Sequence, residues 1–256
     1  MRYAIKGLPG DELQSVTINS GDKTFEDDRR FALLKTTSRA DFNEKDPEWL
    51  HKENFLCAFT APELMSSFQS SYQVIKSGDD VKRIVDLSRR TEINDGKTDY
   101  KHVLGPLDLN TEEGRSDFSN YFSQLSDESL ECVCQQQNEN HTHQFGNTSS
   151  GVKKNGGDTR TVHLINEQTV KDVEEKIGIS LNPIRFRPNI IVDNLEAWKE
   201  FDFVGKRLRI VKQGTDHNTR QIELKVLSRT VRCAGVGIDP TDPTKKIDIP
   251  QLLSKH

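Results

Sequence analysis

The chain has 256 residues, enough to bury a sizeable hydrophobic core in one large domain or two small ones. Its net charge is -4 and its pI about 6.0, which excludes nucleic-acid binding driven by bulk positive charge. No apolar run approaches the roughly 20 residues of a membrane-spanning helix, and the first residues are too polar for a signal peptide. Four cysteines in an acidic chain do not form a disulfide framework. These features predict a cytoplasmic protein.

The first hundred residues are predicted to consist mainly of short strands and turns. Apolar residues either alternate with polar ones or form short runs bounded by charge, as in half-buried and buried strands. One helix is predicted in this part, because Thr60 can cap it and Pro62 lies in its first turn. The predicted elements are a turn at 6–10, strands at 14–18 and 30–34, a loop at 41–54, the helix at 60–68 and a hairpin over 74–93 with its turn at 77–80.

Two further helices are predicted after residue 105. Asn110 and Glu113 resemble a capping box, and apolar residues at offsets of four and seven follow them. The second helix is predicted to begin after Asn166, a good N-cap, and to stop at Gly178. A polar loop is predicted at 135–157, and strands at 162–165, 189–192, 207–211 and 222–232.

This pattern of elements predicts a mostly β protein with appended helices, in the α+β class. Many short strands with few helices are typical of β-barrel-like architecture. We place a domain boundary near residues 100–110. The expected organisation is a β-barrel-like domain at 1–105 and a second β-barrel domain at 106–256.

Two arginines and an asparagine lie close together in the sequence around Pro188. On an extended segment Arg185, Arg187 and Asn189 share one face, with Phe186 on the other, and the proline keeps Arg187 out of helical geometry. Guanidinium groups bind phosphate through paired hydrogen bonds, and an asparagine amide can donate to ring heteroatoms. The segment therefore indicates an anion-binding site, with a solvated strand end carrying ordinary ion pairs as the alternative.

One cysteine, Cys233, directly follows a basic stretch that contains Arg229 and Arg232. A thiolate suits a soft or highly charged transition metal, and neighbouring positive charge favours the thiolate over the thiol. Gly235 and Gly237 leave space beside it for a bulky ligand. These residues predict a sulfur ligand to a metal, with an inert, buried cysteine as the alternative.

Other candidate anion ligands lie in two loops. Lys6 lies in a turn rich in Gly and Pro, and Arg29 precedes a strand, so either can reach a phosphate. Asp158, Thr159 and Arg160 end a Gly-rich loop, where backbone N–H groups and a hydroxyl can meet an anion. Solvated surface charge and an ordinary loop end are the alternatives.

Four residues have the composition of a zinc site: Cys132, Cys134, His141 and His143. Structural zinc sites space each pair of ligands by about two to five residues, whereas one residue separates the members of each pair here. Alternating residues of an extended chain also point to opposite faces. We therefore do not predict zinc binding, and we expect the remaining cysteine, Cys57, to pack in the core.

Several short motifs resemble, in order and spacing, those of the MOSC family, which is named for the C-terminal domain of molybdenum cofactor sulfurases. Within the family, the pattern is similar to that of two-part bacterial and fungal proteins related to the mitochondrial amidoxime-reducing component. Residues 3–8 resemble their N-terminal Tyr-Pro-Val-Lys motif, and residues 28–31 resemble their Asp-Arg-Arg-Trp strand. The other similar segments are 49–52 and 54–56 in the N-terminal domain, and 158–166, 186–189, 232–233 and 239–240 in the MOSC domain.

The resemblance implies a molybdopterin-type molybdenum cofactor, with Cys233 as the ligand to the metal and Asp158 as a catalytic residue near it. A second alignment would place Asn147 and Thr148 where Asp158 and Thr159 stand. Pyridoxal phosphate is not expected, because the pyridoxal-phosphate domain of the sulfurases has no counterpart in this sequence. The residues expected around the pterin and its phosphate are Lys6, Arg29, Thr159, Arg160, Arg187 and Asn189, together with Arg185 of the same predicted clamp and Asn166, which caps a helix beside the site.

The resemblance also implies an activity. Relatives with this layout reduce N-hydroxylated compounds, such as amidoximes and hydroxylamines, by removing oxygen from an N–O bond at a cysteine-ligated molybdenum. Electrons are expected from a separate flavin, haem or iron–sulfur protein, because the sequence has no signature of such a centre. The alternatives are a non-catalytic carrier of the cofactor or of sulfur, and a β-rich scaffold that has lost the site. Relatives run on into further strands, so the C-terminal strands are expected to be short or missing.

Overall fold

The computed structural model describes residues 1–45, 48–94, 97–135, 143–146, 148–211, 222–232, 234–240, 242 and 245–255. In these ranges the strands are β1 (Phe31–Lys35), β2 (Phe55–Leu56), β3 (Phe68–Ser77), β4 (Asp80–Asn94), β5 (Lys97–Asp108), β6 (Leu130–Cys134), β7 (Leu164–Asn166), β8 (Ile190–Val192), β9 (Arg207–Ile210) and β10 (Ile222–Lys225). The α-helices are α1 (Pro62–Ser66), α2 (Glu112–Ser126), α3 (Ser149–Lys154), α4 (Glu167–Ile177) and α5 (Ile249–Leu253). Short 3₁₀ helices lie at Thr36–Asp41, Lys52–Asn54, Pro183–Phe186, Lys199–Phe203 and Ala234–Gly237.

The strands within the described ranges form four small sheets. β3, β4 and β5 make an antiparallel sheet, and β1 lies between β2 and β6 in a second one. β9 and β10 form an antiparallel pair, whereas β7 and β8 are parallel. These sheets and the helices between them confirm the α+β class. The two closed barrels and the domain boundary near residue 105 stay predictions.

The largest core lies where α2 packs against the sheets of the first half. Phe118 and Phe122 lie on one face of α2 and are completely buried, with ring centroids 4.9 Å apart. Burying a Phe side chain contributes about 1.5–3 kcal/mol, so this face fixes the helix on the sheets. The predicted apolar face of α2 is confirmed. Its N-cap is Thr111, which accepts a hydrogen bond from the N–H of Gly114, rather than the predicted Asn110.

A second, smaller core forms between α4, α5 and the parallel strand pair. Val170 and Val173 of α4 are buried with Ile165 of β7 and Ile249 of α5. Val236 belongs to the same cluster. The chain just after residue 233 is therefore anchored in this core.

Most of the longer predicted elements are confirmed. The hairpin of β3 and β4 turns at Ser77–Asp80, and α4 begins after Asn166 and ends at Gly178, which has a φ of 69°. The strand predicted at 14–18 is wrong. Its apolar residues, Val16 and Ile18, are only partly buried, and none of the described strands pairs with this segment.

The extended geometry predicted for residues 185–187 is also wrong. Asn182 caps a 3₁₀ helix by accepting from the N–H of Ile184, and Pro183 occupies its first position. Arg187 then ends the helix with a φ of 51°, in the left-handed region. Because the backbone turns here, Arg185 and Arg187 do not share the face of a strand.

Helix length and apolarity also bear on membrane association. In the part of the chain that the structure describes, none of the helices has both the length and the apolar character needed to cross a membrane.

Candidate functional site

An open cleft lies where four segments of the chain meet. The N-terminal turn contributes Tyr3 and Gly7, and α1 contributes Pro62. The other walls come from the end of the 3₁₀ helix Pro183–Phe186 and from the segment that follows residue 233. From these segments Arg185, Arg187 and Gly235 line the cleft.

Backbone pairing at the N-terminus brings two cationic residues, Lys6 and Arg29, close to Tyr3, which lines the cleft. The N–H of Lys6 donates to the carbonyl of Phe31 at 2.8 Å, and the N–H of Phe31 donates to the carbonyl of Ala4 at 3.0 Å. The N–H of Arg29 donates to the carbonyl of Tyr3 at 2.7 Å. Residues 3–6 therefore run beside the start of β1, which places Tyr3, Lys6 and Arg29 close together.

Arg29 and Arg187 converge on the ring of Tyr3. The guanidinium carbons lie 5.1 Å and 4.3 Å, respectively, from the ring centroid. Arg29 Nη2 also donates to the carbonyl of Arg187 at 3.2 Å, so the two residues are directly linked. We call Tyr3, Lys6, Arg29 and Arg187 the cleft cluster.

Both arginines of the cleft cluster have left-handed backbone conformations, with φ values of 52° and 51°. Such conformations are unfavourable for residues with a side chain and occur mainly where the surrounding structure holds them, often at functional sites. Arg29 also needs a glycine beside it, because a Cβ added to Gly146 would lie 1.8 Å from its Cδ. The local sequence is thus fitted to the position of the Arg29 side chain.

The cleft cluster carries more positive than negative charge. Asp28 is buried and pairs with Arg29. Lys6 Nζ instead donates to the carbonyl of Phe145 at 3.2 Å, and Arg187 donates to the carbonyls of Gly7 and Leu8. Within the described residues, neither Lys6 nor Arg187 forms an ion pair with a carboxylate. The cluster therefore has an excess of positive charge.

Burial and like charge make these cations easier to deprotonate. Part of the Lys6 side chain is accessible, but its ammonium group is surrounded by protein, and desolvation lowers its pKa to about 8. Cys57 opposes this shift, and the charges of Arg29, Arg187 and Lys52 add to it. Desolvation also lowers the pKa of Arg187 to about 10. A bound anion would relieve both effects by supplying the missing negative charge.

His163, which the sequence analysis did not single out, connects this region with Arg232. Its Nδ1 lies 3.3 Å from the carbonyl oxygen of Arg187, and its Nε2 lies 2.9 Å from Nη2 of Arg232. Desolvation, followed by the charge of Arg232, lowers the pKa of His163 to about 3. The neutral ring can then donate from Nδ1 and accept at Nε2, which fixes the residue before Cys233 relative to Arg187.

Asn189 and Thr159 join the cluster through short chains of hydrogen bonds. Asn189 Oδ1 accepts from the N–H of His163 at 3.0 Å and from Arg29 Nη1 at 3.3 Å. Thr159 Oγ1 accepts from the N–H of Gln144, whose side-chain amide donates to Asp28 Oδ2 at 2.9 Å. Gln144 was missed from sequence because it lies in a stretch of polar residues with no distinctive pattern.

Arg185 is held at the far wall of the cleft. It is buried, and its Nη1 and Nη2 donate to the carbonyl of Gly237 at 3.0 Å and to Asp239 Oδ2 at 2.6 Å. These bonds fix the chain that follows residue 233 beside the 3₁₀ helix Pro183–Phe186. Arg185 therefore shapes the cleft wall and is paired with a carboxylate.

Three other predicted site residues contact each other or a helix end instead of the cluster. Asp158 and Arg160 form a two-pronged ion pair, with N–O distances of 3.1 Å and 2.9 Å. Asn166 is buried at the N-terminus of α4, where it accepts from the N–H of Gln168. Its amide also donates to the carbonyl of Glu196 at 2.9 Å, so this side chain acts as a helix cap.

Cys233, the predicted metal ligand, lies outside the described residues, as does Asn147. The residues around position 233 are described. Arg232 contacts the rings of His163 and Phe186, and Gly235 lines the cleft beside Arg187. The chain before and after residue 233 therefore lies next to the cleft cluster.

The four zinc candidates are only partly covered, since His141 also lies outside the described residues. Cys132 is buried in the core under α2, and burial raises the pKa of its thiol. His143 is buried between the rings of Phe42 and Phe145. Among the described residues, no group of three or more His, Cys, Asp or Glu side chains is arranged to hold a metal ion. Cys57 is buried, as predicted.

Comparison with known proteins supports one family for the C-terminal part of the chain. Residues 151–255 match the family model of the MOSC domain. A comparison with curated proteins found no significant match. The family match confirms the resemblance to the MOSC family over residues 151–255.

Proposed function

We propose that the MOSC domain of this chain binds a molybdopterin-type molybdenum cofactor in the cleft, and that the protein reduces N-hydroxylated compounds. The MOSC family is associated with this cofactor. We further propose two barrel-like domains, at 1–105 and 106–256, with the cleft drawing residues from both.

The observation that carries the proposal is the unbalanced positive charge of the cleft cluster. Three cations, Lys6, Arg29 and Arg187, lie close together, and one buried carboxylate, Asp28, pairs with Arg29 alone. Buried charges in a folded protein are usually paired, so an anionic ligand is the natural partner of such a group. The phosphate of a molybdopterin is such an anion, and guanidinium groups match its geometry.

The donor set also fits the cofactor in its chemistry. Lys6, Arg29 and Arg187 would hold the phosphate and other acceptor oxygens, and Asn189 and Thr159 would position Arg29 through the hydrogen bonds described above. Arg185, through Asp239, would hold the wall on which Gly235 lies. Asp158 is proposed to orient a substrate or move a proton, for which its ion pair with Arg160 must first open.

Cys233 is proposed as the protein ligand to the metal. The support comes from its neighbours in the chain, because Arg232 is tied to His163 and Gly235 lies at the cleft. The positive charge of Arg232 would favour the thiolate, which is the form that binds metals. When bound, the cofactor supplies the two-electron chemistry that removes oxygen from the N–O bond, and the protein supplies position and electrostatics.

The reductant is proposed to be a separate protein with a flavin, haem or iron–sulfur centre. Each turnover of an N-hydroxylated compound to the amine or amidine and water consumes two electrons and two protons. The sequence shows no motif for a redox centre of its own. The reaction therefore needs an external donor.

The experiment compares wild-type protein with Cys233→Ala, both purified from a host that makes the cofactor. We expect wild type to contain molybdenum by elemental analysis and to reduce benzamidoxime in a reconstituted electron-transfer system. We expect Cys233→Ala to fold with an unchanged circular dichroism spectrum and to lose turnover. The matched control is Cys134→Ala, which removes a half-buried thiol from β6 and should keep both molybdenum and turnover.

Two outcomes would contradict the proposal. Unchanged turnover in Cys233→Ala would exclude this thiolate as the ligand. Wild-type protein that holds molybdenum but never turns over would instead identify a carrier of the cofactor, which is the alternative function.

A further inference from the structure

We infer that the hydroxyl of Tyr3 donates a hydrogen bond to the anionic ligand of the cleft, as a third binding group beside Arg29 and Arg187. The identity of that ligand as the molybdenum cofactor rests on the proposed function. The contact itself requires only an anion with acceptor oxygens, such as a phosphate group.

The first observation is a buried hydroxyl with no partner. Tyr3 is completely buried, and its Oη has no hydrogen-bond partner among the described residues. Buried polar side-chain atoms in folded proteins are nearly always paired, with protein, water or ligand. Tyr72, another buried tyrosine, follows that rule, because its hydroxyl donates to Asp27 Oδ2 at 3.0 Å.

The second observation is that Tyr3 is held firmly in place. Its N–H donates to Asp28 Oδ1 at 2.7 Å, and its carbonyl accepts from the N–H of Arg29 at 2.7 Å. A Cβ added to Gly10 would lie 2.7 Å from Cε1 of the Tyr3 ring, so the edge of the ring packs directly against that backbone. The ring therefore has little freedom to turn its hydroxyl towards another protein group.

The third observation is the set of groups that surround the Tyr3 ring. The guanidinium carbons of Arg187 and Arg29 lie 4.3 Å and 5.1 Å from its centroid, and Tyr3 is one of the residues that line the cleft. Guanidinium groups carry donors and no acceptor, so they cannot satisfy a phenol O–H. Burial raises the pKa of Tyr3, which keeps the phenol protonated and able to donate. A partner that accepts from all three groups must be rich in acceptor oxygens and negatively charged.

Tyr3→Phe tests this inference, because it removes the hydroxyl and keeps the ring between the two arginines. Removing a buried hydroxyl that has no partner should leave the stability of the apoprotein unchanged or raise it. We therefore expect the thermal midpoint of Tyr3→Phe apoprotein to equal or exceed that of wild type. We expect inorganic phosphate to bind the variant about tenfold more weakly, the factor that corresponds to one lost hydrogen bond to a charged group.

Tyr72→Phe is the matched control. Its hydroxyl is bonded to Asp27, so its removal should lower the thermal midpoint of the apoprotein and leave the affinity for phosphate unchanged. The two tyrosine variants should thus show opposite patterns. A lower midpoint for Tyr3→Phe, equal phosphate affinity of Tyr3→Phe and wild type, or no phosphate binding by wild type would each overturn the inference.

Molybdenum content separates this inference from the proposed function. Wild type that binds phosphate through Tyr3 but holds no molybdenum after expression in a cofactor-producing host would overturn the proposed function alone, and would assign the site to free phosphate or a phosphate-bearing metabolite. Wild type and Tyr3→Phe with equal molybdenum content and equal phosphate affinity would overturn the inference alone.

Discussion

Asp27 and Asp28 are adjacent buried carboxylates that belong to two different kinds of charged cluster. Asp27 accepts from Arg83 Nε at 2.8 Å, from the hydroxyl of Tyr72 at 3.0 Å and from Arg30 Nη1 at 3.3 Å. We call these four residues the Asp27 cluster. Desolvation and the charge of Asp27 raise the pKa of Tyr72, which keeps its hydroxyl protonated as a donor.

Asp28, one residue later, lies beside the cleft cluster. It pairs with Arg29, whereas Lys6 and Arg187 bond to backbone carbonyls and the hydroxyl of Tyr3 has no described partner. In the Asp27 cluster both arginines pair with a carboxylate, although Arg30 Nε has no described partner. In the cleft cluster two of the three cations pair with no carboxylate among the described residues, and the hydroxyl of Tyr3 has no described partner. On the proposed function, the charges of the Asp27 cluster hold the fold together, whereas Lys6 and Arg187 are available to an anionic ligand.

The difference between the two clusters is tested most directly by making the same substitution in each, Arg83→Met and Arg187→Met. Arg83→Met removes a buried partner of Asp27, and breaking a buried ion pair from one side costs about 3–5 kcal/mol of unfolding free energy. Arg187→Met removes a cation that has no carboxylate partner among the described residues but donates to the carbonyls of Gly7 and Leu8, so we expect a smaller loss of about 1–2 kcal/mol. Urea denaturation of both apoproteins measures the two values.

The effects of the two substitutions on phosphate binding should rank in the opposite order. Arg187→Met should bind inorganic phosphate at least about tenfold more weakly than wild type, as expected for the loss of a charged hydrogen-bonding group. Arg83→Met should bind phosphate normally under conditions in which it is folded. Equal losses of stability in the two variants would show that Arg187 is a structural residue, and the comparison between the clusters would fail.

The sequence was sufficient for elements whose stabilisation is local. The apolar face of α2 and the N-cap and stop residue of α4 depend on neighbours within a few turns, and both helices were predicted. The strand at 14–18 failed because a strand needs a partner, and an alternating pattern does not show whether one is near. The 3₁₀ helix at Pro183–Phe186 was missed because a single turn capped by Asn182 is too short to show a hydrophobic period.

The candidate site was predictable in its residue types but not in their contacts. Lys6, Arg29 and Arg187 were named from local chemistry and family motifs. The structure brings the two arginines together at the ring of Tyr3, with Lys6 close enough for their charges to lower its pKa. His163 and Gln144 were missed because their roles depend on partners 24 and 116 residues away in the chain. No local pattern distinguishes such residues from an ordinary histidine or glutamine.

Asn166 gives a second test that separates structural from ligand-binding residues. It was predicted to lie beside the cofactor, but its side chain caps a helix. Asn166→Ala should lose the bond from the N–H of Gln168 and leave the carbonyl of Glu196 without this donor. We expect a loss of about 1–2 kcal/mol in unfolding free energy, as for other N-cap substitutions, measured by urea denaturation. Molybdenum content and phosphate affinity should stay at wild-type values, and a selective loss of either would return Asn166 to the binding site.

The smallest expected effect is the dependence of anion binding on pH through Lys6. Its pKa is about 8 in the folded apoprotein and 10.5 in its ordinary state, so the folded chain loses this proton first as pH rises. Between these values the unfolded chain holds more protons, and the contribution of Lys6 makes the apoprotein more stable with rising pH. A bound anion reverses the shift, because it favours the charged ammonium. Binding above pH 8 must therefore take up a proton.

Phosphate affinity should accordingly fall between pH 7.5 and 9.0, by a factor of up to about 8, since a group with a pKa near 8 loses most of its proton over this interval. Over this range inorganic phosphate gains negative charge, which by itself would strengthen binding to a cationic site, so a fall in affinity reports on the protein. Isothermal titration calorimetry in two buffers with different ionisation enthalpies would measure the proton uptake directly. Lys6→Met should bind more weakly at pH 7.5 and show no such trend, whereas Lys52→Met, which removes a neighbouring charge, should keep it. A wild-type affinity that is constant across the range would mean that the ammonium of Lys6 does not face the ligand, and the cleft cluster would then consist of the two arginines and Tyr3.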